Sequence, residues 1–281
     1  MSEDHTVYGE KDSALSVEHT RRTAPFRMDI DHYHDVYEVY MLLEGERRYF
    51  IRDRSYLIKE GDLVFIGRGD LHKTSDGSTP QHERIVFYFD NAFVQRHGGP
   101  DSDFLLSPFR RSHPVCRLDL KNRMAALSAA GRLVHEMKNR EPGSGLAIRQ
   151  NILDLLLLCA RHTGGAEEEQ PVLDTPLYRK MSEVARYIND HYPEPLSLTW
   201  LAEYFHMSPS YLSRMFRQAT GFALNEYINI IRVREAEQLL KETSLSVLEI
   251  SLAAGFNNFS HFGKTFKRHA KMSPREYRGA R

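Results

Sequence analysis

The chain has 281 residues, 41% of them hydrophobic, and a formal net charge of zero, a length that suits two ordinary domains rather than one. Its longest Leu-rich stretch, residues 152–160, is interrupted by Asp154 and falls short of the roughly 20 apolar residues a bilayer span requires, which excludes a helical membrane protein. Charge is unevenly placed: from Leu177 onward about 15 Lys/Arg stand against 10 Asp/Glu, so the C-terminal third is basic and the rest acidic, as expected if only one part meets a polyanion.

The opening MSEDHTVYGEKDS contains no apolar leader, and the two cysteines, Cys116 and Cys159, have no CxxC partner. These features lead us to expect a cytoplasmic protein with both thiols serving as small apolar residues. Residues from about Val17 to Phe93 read as β: the runs VYEVYMLLEG, RRYFIRD, DLVFIG and RIVFYFD are separated by turn-forming clusters, the pattern of a small antiparallel sandwich or barrel. His32, His34, Val36, Glu38, Tyr40 and Leu42 share one parity and would lie on one face of an extended strand.

If His72 approaches from a neighbouring strand, three imidazoles and one carboxylate (His32, His34, Glu38 and His72) surround one point. That set suits a divalent metal, Zn, Ni, Mn or Fe. The same groups serve equally as hydrogen-bonding partners for a sugar or an organic acid, so both readings stay open. Tyr40 and Tyr88 are placed to flank such an effector pocket, and Arg47, Arg48 and Arg84 either receive a carboxylate or are simply exposed strand positions. The spacing His32-x-His34-x3-Glu38-x6-Gly45, followed by Gly61, Gly69 and His72, resembles the two motifs of the cupin β-barrel over roughly residues 17–90. Gly67 departs from a usual Pro there and Asp76 from a usual Asn. The resemblance implies a small-molecule-binding barrel. An iron-dependent cupin oxygenase is the enzymatic rival, and an effector-free architectural DNA-binding protein is a third reading.

From Asp119 the period becomes helical, with Leu120, Met124, Leu127, Leu133, Val134 and Met137 on one side. EPGSG then breaks the pattern before a second helix over about residues 146–161. The two should pack as a hairpin. Ile152, Leu153, Leu155, Leu156, Leu157 and Leu158 make the second helix apolar on more than one face, so a second subunit is the expected cover, with burial inside one subunit as the alternative. GGAEEEQPVLDTP, from Gly164, has no periodicity and reads as a linker.

The most informative feature is an internal repeat. LAEYFHMSPSYLSRMFRQATGFALNEY, from Leu201, echoes ISLAAGFNNFSHFGKTFKRHAKMSPREY, from Ile250, pairing Leu212 with Phe262, Arg214 with Lys264 and Phe216 with Phe266. Each copy has the parts of a helix-turn-helix. A short helix meets a tight turn, and a second helix begins at Ser208-Pro209 in one unit and at Asn257 or Asn258 in the other. Leu212, Met215, Phe216, Phe262 and Phe266 face inward. Ser210, Ser213, Arg214 and Arg217 point away, as do Phe259, Ser260, Gly263, Lys264 and Lys267, leaving an outer side that is short or basic and suits a major groove. A connecting helix of about 25–30 Å approaches the ~34 Å between successive major-groove faces, so one subunit can read two of them.

The segment from Leu196 to Arg278 resembles the DNA-binding domain of the AraC/XylS family of bacterial transcription regulators. Carried over by position, the resemblance implies DNA contacts at Ser210, Ser213 and Arg214 in the first unit and at Phe259, Ser260, Gly263 and Lys264 in the second. Lys271 stands where Gly is usual and Ser251 where Ala is usual. Phe259 and Gly263 are poor hydrogen-bonding residues at base-reading positions, which points the second unit toward backbone grip.

The expectation is thus a multidomain α+β chain. Residues 1–118 form a cupin-like antiparallel β-barrel that senses an effector, and residues 119–163 a helical hairpin for dimerisation. Residues 164–176 are a linker, and residues 177–281 an all-α domain with two helix-turn-helix units. The protein is expected to be a transcription regulator rather than an enzyme. Its expected partners are a double-stranded DNA operator, a small-molecule effector, a second copy of itself and, if it activates, RNA polymerase.

Overall fold

The computed structural model describes residues 4–9, 14–26, 33–163 and 172–279. The chain divides into two compact units: Met1–Arg52 with Tyr56–Val172, and Asp53–Ser55 with Leu173–Arg281. His32 and residues 164–171 of the expected linker lie outside the described residues.

Among the described residues the first unit is built on eight strands: β1 (Asp4–Tyr8), β2 (Leu15–Arg22), β3 (Tyr37–Ile51), β4 (Arg54–Lys59), β5 (Leu63–Ile66), β6 (His72–Asp76), β7 (His82–Phe89) and β8 (Val115–Cys116). The path β1-β2-β7-β3-β5-β8 has two ends, with β4 and β6 attached to β3. The expected barrel is therefore an open, folded antiparallel sheet. β3 explains the difference. Two runs that read as separate strands are one 15-residue strand, whose first part pairs with β5 and β7 and whose last part pairs with β6.

The register shifts between Leu42 and Glu44, and Gly45 follows with φ 94°, where a Cβ would meet the Gln81 carbonyl oxygen at 2.5 Å. Such a kink, in a left-handed conformation only glycine adopts cheaply, is what lets one strand serve both halves of the folded sheet. The expected shared face of His34 and Glu38 also needs correction. β3 starts at Tyr37 and His34 precedes it in irregular backbone, so strand parity does not set the direction of His34.

Both faces of β3 are buried. Val39 and Met41 join Leu63, Phe65, Ile85 and Phe87 in a core shared with helices, whereas Tyr40 and Leu42 join Tyr49, Ile51, Val64, Ile66 and Val86 in an inner cluster. The helices are α1 (Asn91–Gly98), α2 (Ser102–Leu105), α3 (Leu120–Asn139) and α4 (Ser144–Thr163). α1 and α2 occupy a stretch that had read as part of the β domain. Asp119 caps α3 by accepting from the Asn122 N–H at 2.9 Å, and Arg140, at φ 52°, ends it.

α3 and α4 form a hairpin whose Ala126, Leu133, Ile148, Ile152, Leu155 and Leu156 cover the sheet, so hairpin and sheet share one core. That accounts for most of the apolar girth of α4: Leu153, Leu157 and Leu158 are half-buried against the same core. Leu120, Met124 and Leu146 stay exposed. Cys116 and Cys159 are buried, and neither forms a disulfide among the described residues.

The second unit is helical: α5 (Pro176–His191), α6 (Leu198–Tyr204), α7 (Pro209–Thr220), α8 (Leu224–Glu242), α9 (Val247–Ala253), α10 (Phe259–Ala270) and α11 (Pro274–Gly279). The N-terminal part of α8 buries Tyr227 against Phe216 and Phe222. Its C-terminal part contributes Val233, Ala236 and Leu240 to a cluster with Ile250, Phe256, Phe262 and Phe266. One 19-residue helix, about 28 Å long, is thus the spine on which both repeats pack. No helix among the described residues is long and apolar enough to cross a membrane.

Candidate functional site

Each unit carries one candidate site. In the second unit, α6 and α7 meet at a turn where His206 takes φ 57° and the Met207 N–H donates to the Ala202 carbonyl at 2.7 Å. α7 begins with Pro209 at its first position and Ser208 as cap, whose Oγ accepts from the Tyr211 N–H at 3.3 Å. Gly221, at φ 82°, ends it. Leu212 and Phe216 are fully buried, while Ser208, Ser210, Arg214 and Arg217 are exposed and Ser213 is half-exposed. Met215, expected inward, is half-buried.

The second unit of the repeat has the same build with different parts. Ser246 and Glu249 cap α9 reciprocally, the Ser246 N–H donating to Glu249 Oε2 at 2.7 Å and the Glu249 N–H to Ser246 Oγ at 3.2 Å. Gly255 makes the turn at φ 85°, with the Tyr192 carbonyl oxygen 2.6 Å from where a Cβ would sit. Asn258 is the cap of α10, accepting from the His261 N–H at 2.9 Å. Lys271, in the place of a usual Gly, holds the left-handed terminating position at φ 63°. Phe262 and Phe266 are fully buried; Phe259, Ser260, Lys264 and Lys267 are exposed and Gly263 is half-exposed. Every residue expected on the outer side is therefore at least partly open. Sequence reasoning missed Tyr211, which is exposed on α7 beside Arg214. Its position on the outer stripe was the available signal.

In the first unit, the inner face of the sheet collects polar groups. Glu38, 1% exposed, accepts from Tyr49 Oη at 3.1 Å and lies 2.9 Å from His34 Nε2 and 3.3 Å from His72 Nε2. Glu38 and Tyr49 are eleven residues apart on one strand, which if straight would separate them by about 36 Å. The kink in β3 brings them together. Burial opposes ionisation of Glu38, but His72 and His34 outweigh it and hold the carboxyl well below the usual carboxylate range. Burial likewise works against charge on His72, and the Glu38 carboxylate reverses this, raising its pKa.

The imidazoles have a definite orientation. His34 Nδ1 lies 2.9 Å from the Val36 carbonyl oxygen and His72 Nδ1 lies 2.8 Å from that of Asp70. Each Nδ1 therefore donates its proton to the backbone, leaving Nε2 as either a second N–H toward Glu38 or a lone pair for a metal. His34, Glu38 and His72 offer three ligand atoms within 4.8 Å of one another. This two-imidazole, one-carboxylate set fits a divalent ion such as Zn, Ni, Mn or Fe. Tyr88 meets His34 edge-on at 5.5 Å.

A second group lies on the same inner face. Tyr40 is fully buried, and Arg47 and Arg84 are 0% and 7% exposed, so neither arginine is an exposed strand position. Arg48, of opposite parity, is half-exposed. Arg47 donates to Asp76, to Thr74 Oγ1 at 3.2 Å and to the Phe26 carbonyl at 3.2 Å. The Arg22 guanidinium lies 3.3 Å from the Phe26 ring. His82 is buried at the same end, and burial with the nearby Arg47, Arg84 and Arg22 charges lowers its pKa to about 4. Of these, Tyr49, Asp76, His82, Arg22 and Phe26 were not foreseen. Their parity was readable, but not the fold of β3 that gathers them.

Comparison with known proteins bears on each unit as a whole. Residues 16–156 match the model of the AraC-like ligand binding domain, and residues 201–280 match that of a helix-turn-helix domain. The HTH-type transcriptional activator RhaS of Enterobacter sp. is 25% identical over 257 residues, spanning 89% of this chain and 88% of its own. The transcriptional activator RhaR of Escherichia coli K12 is 25% identical over 251 residues, spanning 88% and 86%. A transcriptional regulator structure from Chromobacterium violaceum with an AraC-type DNA-binding domain is 36% identical over 36% of this chain and 90% of its own, with a TM-score of 0.34. The chain belongs to the AraC family of DNA-binding transcription regulators, with a ligand-binding domain ahead of its helix-turn-helix domain.

Proposed function

We propose that the protein is a sequence-specific, operator-binding regulator whose affinity for DNA is set by a small molecule held on the inner face of its β domain. The observation that carries the reading is the pair of capped helices α7 and α10, each with an apolar side locked into the core and an outer side of short and basic residues. Small residues permit close approach to base edges, Arg214 and Lys264 supply long cations, and the free N–H groups at each helix start face phosphate. The relatives RhaS and RhaR are named as activators, which supports positive control and a contact with RNA polymerase. The exposed Leu120, Met124 and Leu146 of the hairpin support dimerisation through α3 and α4, and cytoplasmic residence follows from the role.

Control by a ligand requires linkage: operator DNA must change effector affinity by the same factor by which effector changes operator affinity. Titrating the effector with and without operator tests this, and identical affinities would remove the regulatory half of the proposal. A divalent metal at His34, Glu38 and His72 is a second reading, favoured by the backbone carbonyls that fix both Nδ1 atoms. Metal analysis of protein purified without an affinity tag should then find close to one ion per chain, and Glu38→Gln should lose it.

A further inference from the structure

A charged guanidinium in a protein interior normally faces an anion, because an uncompensated buried charge is strongly unfavourable. Arg47 obeys this rule through Asp76; Arg84 does not. It is 7% exposed, and among the described residues its Nε has no hydrogen-bond partner and no carboxylate pairs with it. Its guanidinium carbon lies 5.6 Å from the Tyr40 ring and 5.9 Å from the Phe26 ring. The hydroxyl of Tyr40, fully buried, also has no partner.

The two are diagonal neighbours on one face of the sheet, since Tyr40 pairs with Val86 and Leu42 with Arg84. An unsatisfied charged donor and an unsatisfied neutral hydroxyl thus share one buried wall. Along β7 the same face continues through Val86 to Tyr88, which lies opposite Glu38.

Resting on the reading of this domain as the effector-binding one, we propose that the wall binds a small organic carboxylate. Arg84 and the Tyr40 hydroxyl receive its carboxylate, and the rest of the molecule extends toward Tyr88 and the His34–Glu38 pair. The guanidinium fork matches a carboxylate in shape and charge. Asp76 is taken up by Arg47, and Glu38 by His34, His72 and Tyr49, so Arg84, with Arg22 beside the same Phe26 ring, leaves the wall positive. The depressed pKa of His82, caused by burial and then by Arg47, with Arg84 and Arg22 contributing, reports the same positive field.

The test follows thermal unfolding of the full chain with sodium acetate, lactate and gluconate as probes, against sodium chloride at matched ionic strength. At least one carboxylate is expected to raise the melting temperature beyond chloride in a saturable way. Arg84→Met should raise its apparent Kd by about tenfold or more, and Tyr40→Phe by a smaller factor. If no carboxylate outperforms chloride, or if Arg84→Met keeps the full response, the proposal is overturned. Should Arg84→Met fail to fold, the near-isosteric Tyr40→Phe decides alone, an unchanged Kd overturning the proposal. Selection of genomic fragments by the same wild-type sample separates the two readings. Sequence preference without a carboxylate response sinks only this inference, whereas absence of any preference sinks the regulator reading beneath it.

Discussion

Arg214 and Tyr211 lie one turn apart on the outer side of α7, the guanidinium carbon 5.9 Å from the centre of the tyrosine ring. The contact lies along the helix surface, and a planar guanidinium on this side is suited to a guanine edge. Arg214→Ala should cost about 1–3 kcal/mol of specific affinity and relax preference at one base position. Arg214→Lys should recover little of it, because an ammonium cannot make the paired contact. Binding isotherms on operators mutated one base pair at a time check both.

Lys267 occupies the last turn of α10, exposed and one turn beyond Lys264. We expect it to meet phosphate. Lys267→Ala should weaken binding to all sequences alike and lower the slope of log K against log salt by about 1. An altered base preference with an unchanged salt slope would reassign the residue to base reading.

Gly263 sits in the interior of α10, where an added Cβ would meet nothing within 4 Å. Glycine there costs the helix about 1 kcal/mol relative to alanine, with no packing reason inside the protein to keep it. A close approach of DNA backbone would supply one. Gly263→Ala should therefore raise the melting temperature while reducing operator affinity. A variant that gains stability and binds the operator unchanged would show that nothing approaches α10 at this point.

His82 links stability to pH. Arg22 of β2, Arg47 of β3 and Arg84 of β7 face it, its Nδ1 meets the Pro80 carbonyl, and its pKa falls from the ordinary 6.5 to about 4. Between these values the unfolded chain binds a proton that the folded one does not, so this contribution is fully present above about pH 6.5 and is lost as pH drops toward 4. Denaturant unfolding across that window should show stability declining with acid, and His82→Gln should flatten the decline. Equal slopes in both proteins would move the effect to another group.

How much of this was legible beforehand differs between the two units, for a physical reason. In the helical unit the information is local. Caps such as Ser208 and Asn258, the turn at Gly255 and the alternation of Leu212 and Phe216 with Arg214 and Arg217 all act within a few residues, so helix limits and outer faces could be read directly. In the β unit the decisive contacts are non-local. Glu38 and His72 were foreseen as neighbours, but Tyr49 joins them only because β3 kinks near Gly45, a register property that strand parity does not encode. His34 reaches Glu38 from irregular backbone ahead of the strand, so the pairing was anticipated for the wrong reason. The burial of Arg47 and Arg84 rather than Arg48 has the same origin. Which strand positions face inward depends on pairings made far along the chain.

The most direct test of the account is a hydroxyl-radical footprint of the wild-type protein on an operator selected from genomic DNA, repeated with Arg214→Ala and Lys264→Ala. The account predicts two protected backbone stretches per subunit about one helical turn (~34 Å) apart, as adjacent major grooves require, one lost with each substitution. A single protected stretch, or two that survive both substitutions, would contradict the assignment of α7 and α10 as a matched pair in adjacent grooves.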